Sequence, residues 1–265
     1  MSIPSSVRIV VFDMDGVLWS MDDPIPHASE ALERCRLSGR AVYFLTNNSS
    51  KTRDDYVAKL ARFGIRSNVD EVVTSAQATA QWLKARNPAG NRRAVIIGEE
   101  GLRRELEAVG VQVVNYREGD TVDYVVVGWD RSLTYDKLAQ AHGAIVRGGA
   151  LFVATNRDAT YPFEGGRTLP GGGSIVAAVA TSTGIEPITI GKPEQYTMQM
   201  ILDREHAAPE ECLVVGDRLD TDIALAVRTG ALSALVLTGV STEAEARGLP
   251  PDQQPTYIWP NLSHL

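Results

Sequence analysis

The sequence predicts an α/β protein with mostly parallel sheets and one inserted α/β unit. Short β-branched apolar runs alternate with segments of helical periodicity along all 265 residues, a pattern typical of parallel sheets covered by helices. The predicted strands number about ten, which is too many for one open sheet of ordinary size. We therefore expect two sheets within this chain.

The predicted elements fall into three sets along the chain. In the first set, helices end at Gly39 and Gly64, and the elements are strands 7–13, 41–45 and 71–74 with helices 28–38, 52–63 and 75–86. The second set follows the Asn87–Asn91 breaker and contains strands 93–97, 111–114, 122–127 and 151–154 with helices 100–109, 134–147 and 173–183. The third set contains strands 188–190, 212–216 and 234–237 with helices 194–206 and 220–229.

The strand count also predicts the domain organisation. We expect residues 1–75 and 188–265, which contain the strands of the first and third sets, to form one discontinuous core. Residues 76–187 are then an inserted α/β domain within it.

Composition limits the classes of partner. The chain is 44% hydrophobic with a net charge of −7 and a sequence pI near 5.2, which argues against nucleic-acid and anionic-membrane partners. No apolar run approaches the ~20 residues that span a bilayer, and no signal-peptide pattern is expected at the N-terminus. We therefore expect a cytoplasmic protein in which Cys35 and Cys212 are reduced.

The run Val7–Phe12 ends in two carboxylates, Asp13 and Asp15, followed by Gly16. Side chains alternate along an extended chain, so the two acids can point the same way where the strand ends. Two adjacent buried carboxylates repel each other unless a cation or proton lies between them. The pattern predicts a divalent-metal site, a proton-transfer pair, or both.

Three further polar groups follow predicted core strands, where ligands bind in open α/β sheets. They are Thr46-Asn47-Asn48, Lys192, and the run from Gly216-Asp217 to Asp222. Each group alone is as well explained by a turn, a helix cap or surface charge. Their joint occurrence, in this order and all at strand ends, favours a functional site.

This arrangement resembles the haloacid dehalogenase superfamily, whose four motifs match Asp13-x-Asp15, Thr46, Lys192 and Gly216-Asp217-x4-Asp222. It is most similar to the branch with a type IIA cap, which contains p-nitrophenylphosphatase-like, phosphoglycolate phosphatase-like and NagD-like proteins. The resemblance implies a Rossmann-like parallel-sheet core. It also implies a cap between the second and third motifs, where the strand count places the inserted domain.

The resemblance implies a Mg²⁺-dependent phosphatase that hydrolyses small-molecule phosphomonoesters through an aspartyl-phosphate. The implied catalytic residues are Asp13 as nucleophile, Asp15 as general acid and base, and Lys192 as the cation offsetting their charge. Mg²⁺ would be held by Asp13, the Asp15 carbonyl and Asp217, with Asp222 behind them. The implied substrate-binding residues are Thr46, Asn47 and Asn48 and, in the cap, Asp158 and Tyr161.

Two alternatives stay open beside the phosphatase. One is a catalytically weak protein that binds or senses a phosphorylated metabolite. The other is a phosphotransferase of the same fold, although the stretch from Gly16 to Glu30 is too short for the helical cap typical of phosphomutases. The resemblance also allows a homodimer through the cap. Trp19, just past the two acids, is expected either against a leaving group or at the edge of the core.

Overall fold

The computed structural model of the chain describes residues 3–89, 91–163 and 167–265. Its strands are β1 (Ile9–Phe12), β2 (Trp19–Ser20), β3 (Asp23–Pro24), β4 (Ala41–Thr46), β5 (Val72–Thr74), β6 (Arg92–Ile97), β7 (Val111–Val113), β8 (Tyr124–Val127), β9 (Leu151–Ala154), β10 (Thr160–Phe163), β11 (Arg167–Pro170), β12 (Ile188–Thr189), β13 (Cys212–Gly216), β14 (Leu232–Val236) and β15 (Tyr257–Trp259). Its α-helices are α1 (Ala28–Leu37), α2 (Arg53–Arg62), α3 (Ser75–Arg86), α4 (Glu100–Ala108), α5 (Tyr135–Val146), α6 (Gly172–Thr183), α7 (Tyr196–Glu205), α8 (Ala224–Thr229) and α9 (Glu243–Gly248).

The chain divides into two compact units. The first consists of Met1–Thr46, Tyr56–Val73 and Lys192–Leu265. The second consists of Asn47–Asp55 and Thr74–Gly191. Each unit is built around a sheet of parallel strands, and the predicted α/β class is confirmed.

The first unit contains a six-stranded sheet in the order β15-β14-β13-β1-β4-β5. β1 is central and runs parallel to both β13 and β4. The chain fills the β4–β5 side first and returns later to fill the β13–β15 side. The strand order therefore reverses between β1 and β13, and open α/β sheets bind ligands beyond the carboxyl ends of strands at such a point.

Both faces of this sheet are buried, as is usual for parallel strands. Alternate residues of β1 show the division: Val10 and Phe12 pack with residues of α1 and α2, whereas Ile9 and Val11 pack with residues of α7 and α8. The central strand is held firmly on both sides, which fixes the position of the residue that follows it.

The second unit contains a five-stranded sheet in the order β12-β9-β8-β6-β7. The prediction that strand 188–190 begins the third set, and so belongs to the core sheet, is wrong. The observed strand, β12, spans Ile188–Thr189 and runs parallel to β9 in the second unit's sheet, with Ile188 opposite Val153. A two-residue strand carries too little periodicity to choose between sheets, and its partner is decided by tertiary contacts.

Several elements were not predicted from the sequence. They are the ribbons β2–β3 and β10–β11, strand β15 and helix α9. The ribbons are antiparallel pairs of two to four residues, too short for a clear alternating pattern. In the part of the chain that the structure describes, no helix combines the length and apolar character required to cross a membrane.

Candidate active site

Two aspartates stand at the reversal point of the first unit's sheet. Asp13 follows β1 directly, and Asp217 follows β13 directly. The register pairs Phe12 with Val215, and the Asp13 N–H donates to the Val215 carbonyl at 2.8 Å. The two carboxylates are therefore brought together by neighbouring strands although about two hundred residues separate them in the chain.

Lys192 bridges two carboxylates of this cluster. Its Nζ lies 2.6 Å from Asp13 Oδ1 and 2.6 Å from Asp222 Oδ1. The side chains of Lys192 and Asp222 are 4% and 1% exposed, and that of Asp13 is 12% exposed. Burial lowers the pKa of Lys192, but the attraction of the two carboxylates outweighs burial and raises that pKa. Lys192 therefore stays protonated between the two carboxylates.

The carboxylates repel one another even with this lysine between two of them. Burial, with repulsion from Asp222 and Asp217, raises the pKa of Asp13 well above its ordinary value. Burial and repulsion from Asp222 raise the pKa of Asp217 to about 7. Three carboxylates lie close together and one ammonium group bridges two of them, so a further positive charge would stabilise the cluster.

The donor set fits a hard divalent cation. One carboxylate oxygen from each of Asp13, Asp217 and Asp222 lies within 4.8 Å of the others. Asp217 Oδ1 is buried and has no hydrogen-bond partner, whereas Asp217 Oδ2 accepts a 2.8 Å bond from the Val240 N–H. A buried carboxylate oxygen without a donor calls for an ion or water, and oxygen ligands of this kind suit Mg²⁺.

Glycines leave room around Asp217. Gly16 has φ +82°, and a Cβ there would lie 2.5 Å from Asp217 Oδ2. A Cβ on Gly239 would lie 2.0 Å from the same oxygen. Side chains at either position would displace the carboxylate, so the absence of Cβ atoms is part of the site.

Asp15 lies beside the cluster and is held by Trp19, whose Nε1 donates to Asp15 Oδ1 at 2.9 Å. Burial raises the pKa of Asp15, and this outweighs the lowering by Lys59 and by the Trp19 hydrogen bond. Trp19 is fully buried in β2, so it is not the edge residue that the sequence suggested as one of two readings.

The Thr46-Asn47-Asn48 segment crosses the boundary between the units. Thr46 ends β4 and is buried in the first unit, and Asn47 begins the second. Asn48 Oδ1 accepts bonds from the Ser50 N–H and hydroxyl at 2.9 and 2.8 Å, which makes a local turn.

In the second unit, Asn47 and Asp158 contact each other. Asn47 Nδ2 donates to Asp158 Oδ1 at 3.0 Å. Asn156 supports both residues, because its Nδ2 donates to the Asn47 carbonyl at 2.8 Å and its Oδ1 accepts from the Asp158 N–H at 3.1 Å. Asn156 was not among the predicted site residues, although it lies in the loop that follows the predicted strand 151–154.

Tyr161 stacks on Trp129, with ring centroids 4.4 Å apart and an interplanar angle of 29°. Trp129 was also missed, although Gly128-Trp129-Asp130 follows the predicted strand 122–127 and thus obeys the same strand-end rule. Its Nε1 donates to the Pro170 carbonyl at 3.0 Å. The Tyr161 ring is therefore fixed within the second unit.

Comparison with known proteins agrees with this geometry. A family model for haloacid dehalogenase-like hydrolases matches residues 10–112, and a model for HAD-like hydrolases matches residues 189–265. Rat (Rattus norvegicus) chronophin is 37% identical over 90% of this chain and 79% of its own length.

Solved structures with similar folds include two phosphatases. The glycerol phosphate phosphatase of Mycobacterium tuberculosis in complex with magnesium has a TM-score of 0.90 and 38% identity over 100% of this chain and 78% of that one. The p-nitrophenyl phosphatase of Archaeoglobus fulgidus has a TM-score of 0.87 and 33% identity over 97% of both chains. These matches and the strand-end cluster show that the chain belongs to the haloacid dehalogenase-like hydrolase family.

Proposed function

We propose that this chain is a Mg²⁺-dependent phosphatase that hydrolyses small-molecule phosphomonoesters. The observation that carries this proposal is the buried cluster of aspartates. In this cluster Lys192 Nζ lies 2.6 Å from Asp13 Oδ1, and Asp217 Oδ1 has no hydrogen-bond donor. Relatives named as phosphatases, among them the glycerol phosphate and p-nitrophenyl phosphatases, support the same activity. An enzyme, rather than a sensor, fits a site in which every position of the four motifs is filled.

Asp13, Asp217 and the Asp15 carbonyl would hold the Mg²⁺ ion, and Asp222 would support them from behind. The buried and unpartnered Asp217 Oδ1 is the observation that favours this ligand set. When bound, the ion neutralises carboxylate charge and polarises a phosphoryl oxygen. The magnesium complex of the M. tuberculosis relative supports the choice of metal.

In the first half-reaction, a carboxylate oxygen of Asp13 attacks phosphorus, and the bond from phosphorus to the leaving oxygen breaks. Asp15 delivers its proton to that leaving oxygen, and the raised pKa of Asp15 favours a protonated starting form. Lys192 holds Asp13 in place and offsets the repulsion between carboxylate and phosphate.

In the second half-reaction, water attacks the aspartyl-phosphate and gives a proton to Asp15. The bond between Asp13 and phosphorus breaks, so phosphate leaves and both aspartates return to their starting states. Thr46 and Asn47 bind the other phosphoryl oxygens, over which charge is spread in a loose transition state.

The rest of the substrate is selected by the inserted domain. We assign the first unit, which contains Asp13, Lys192 and Asp217, to the catalytic core and the second unit to the cap. Asn48, Asp158 and Tyr161 are the proposed specificity residues. The Asn47–Asp158 hydrogen bond and the Tyr161–Trp129 stack support a preorganised polar and aromatic surface.

Net charge and family resemblance support proposals about the binding partner and the oligomeric state. A net charge of −7 favours a small metabolite over nucleic acid or an anionic membrane surface. The proposed location is the cytoplasm, and the family resemblance supports a homodimer through the cap.

The experiment is an Asp13→Asn variant assayed with p-nitrophenyl phosphate and Mg²⁺. We expect turnover to fall by at least about 10³-fold because the amide is not a nucleophile. Asp252→Asn, at an exposed residue of the first unit, is the matched control and should keep the wild-type rate. Acid-quenched wild-type enzyme should carry phosphate on Asp13 by mass spectrometry.

Circular dichroism and thermal melts check that both variants fold. Full activity of the folded Asp13→Asn variant would disprove the nucleophile. Binding of phosphate esters by the wild-type protein without turnover would support the sensor instead.

A further inference from the structure

The indole of Trp19 is bonded to the proposed general acid. Trp19 is fully buried, and its Nε1 lies 2.9 Å from Asp15 Oδ1, a normal length for an N–H···O hydrogen bond. The loop between the two residues is closed by a second bond, from the Gly16 N–H to the Trp19 carbonyl at 2.7 Å. Backbone and side chain therefore fix Asp15 and Trp19 against each other.

The Trp19 ring is itself held in place by its surroundings. Lys59 Nζ lies 4.5 Å from the ring centroid and donates to the Met21 carbonyl at 2.6 Å. Phe63 packs against the ring with centroids 5.7 Å apart. A cation over the ring draws electron density from the indole, which makes its N–H a stronger donor.

We propose that Trp19 is a positioning residue that determines which oxygen of Asp15 carries the transferable proton. The inference rests on the proposed phosphatase function. The indole N–H can only donate a hydrogen bond, so Asp15 Oδ1 accepts it. A proton on Oδ1 directed at the indole would collide with the indole hydrogen. Asp15 therefore holds its proton on Oδ2, the oxygen left to face the leaving group.

This role makes a prediction that a merely structural tryptophan does not. Proton delivery matters in proportion to the basicity of the leaving oxygen, since p-nitrophenolate departs readily as an anion and phenolate departs less readily. Loss of the indole N–H should therefore slow phenyl phosphate more than p-nitrophenyl phosphate. The two leaving groups have similar shapes, so differences in binding are small.

The experiment compares kcat/KM of Trp19→Phe and wild type for both esters, with Mg²⁺ present. This parameter reports the steps through phosphoryl transfer to Asp13. General acids contribute about 10²–10⁴-fold, so misplacing the proton should cost phenyl phosphate about 10-fold or more. The loss for p-nitrophenyl phosphate should stay within about 3-fold because that ester needs little acid assistance.

Trp259→Phe is the matched control, since Trp259 is also a buried tryptophan of the first unit. It should lower thermal stability without changing the ratio of the two rates. Lys59→Met is the second variant, for the case in which Trp19→Phe does not fold. It should change the ratio in the same direction by a smaller factor, because the indole remains but loses its cation, and Asp15 loses a nearby positive charge.

Equal losses for the two esters, or no loss for either, in folded Trp19→Phe would overturn the positioning role. An unchanged ratio in Lys59→Met would do the same if Trp19→Phe cannot be obtained. Failure of the proposed function gives a different result, namely that wild-type enzyme hydrolyses neither ester.

Discussion

Gly239→Ala tests whether the space around Asp217 is required. A Cβ at this position would lie 2.0 Å from Asp217 Oδ2 and 2.6 Å from Asp217 Cβ. Ordinary contacts begin near 3.4 Å, so atoms must move apart by more than 1 Å. Either the Asp217 carboxylate shifts, or the loop shifts and the 2.8 Å bond from the Val240 N–H to Oδ2 is broken.

We expect kcat to fall about 10²-fold, the usual cost of displacing a catalytic group by about 1 Å. The Mg²⁺ concentration for half-maximal activity should rise, because Asp217 is a proposed ligand. Forced packing should also lower the free energy of unfolding by about 1–3 kcal/mol.

The assay is p-nitrophenyl phosphate turnover across a Mg²⁺ titration, with urea unfolding for stability. Gly248→Ala is the control, since its added Cβ meets no atom within 4 Å. Both kinetic parameters should stay at wild-type values in that variant. A Gly239→Ala enzyme with the wild-type rate and Mg²⁺ midpoint would refute the reasoning.

Two further predictions follow from buried groups. Lys192→Met leaves the Asp13 and Asp222 carboxylates buried without their cation. The free energy of unfolding, measured by urea titration in EDTA, should therefore fall by about 3–5 kcal/mol. A fall of less than about 1 kcal/mol would show that the lysine contributes little to the stability of the cluster. Burial raises the pKa of Cys35 to about 11 and that of Cys212 to about 12, so both stay neutral thiols at pH 8 and should resist iodoacetamide in the native protein. Mass spectrometry should find labelling in urea only, and rapid native labelling would show that the thiols are accessible.

The strand-end pattern was sufficient to predict which residues of the first unit meet. Asp13, Lys192, Asp217 and Asp222 were expected together, and the structure brings these four side chains into one buried cluster. Lys192 joins the cluster although the strand before it pairs in the other sheet. For Asp13 and Asp217, the prediction succeeded because both follow neighbouring parallel strands of one sheet, which end at the same edge. It did not require knowledge of the strand order.

The pairing of short strands and the contacts of loop residues were less predictable. Strand 188–190 was assigned to the core and instead pairs with β9. Trp129 and Asn156 were missed because an aromatic or amide residue after a strand is common, and only the stack on Tyr161 and the bond to Asn47 distinguish these two. Such contacts depend on loops far apart in the chain.

The sequence by itself determined the fold class, the family and the chemical types of the polar groups at the strand ends. Only the tertiary structure decided the partner of the Ile188–Thr189 strand, the unpartnered state of Asp217 Oδ1 and the contact between Trp19 and Asp15. Local periodicity is written in neighbouring residues and can be read from them. Burial and hydrogen-bond satisfaction are instead sums over residues from distant segments, so they exist only once those segments have packed together.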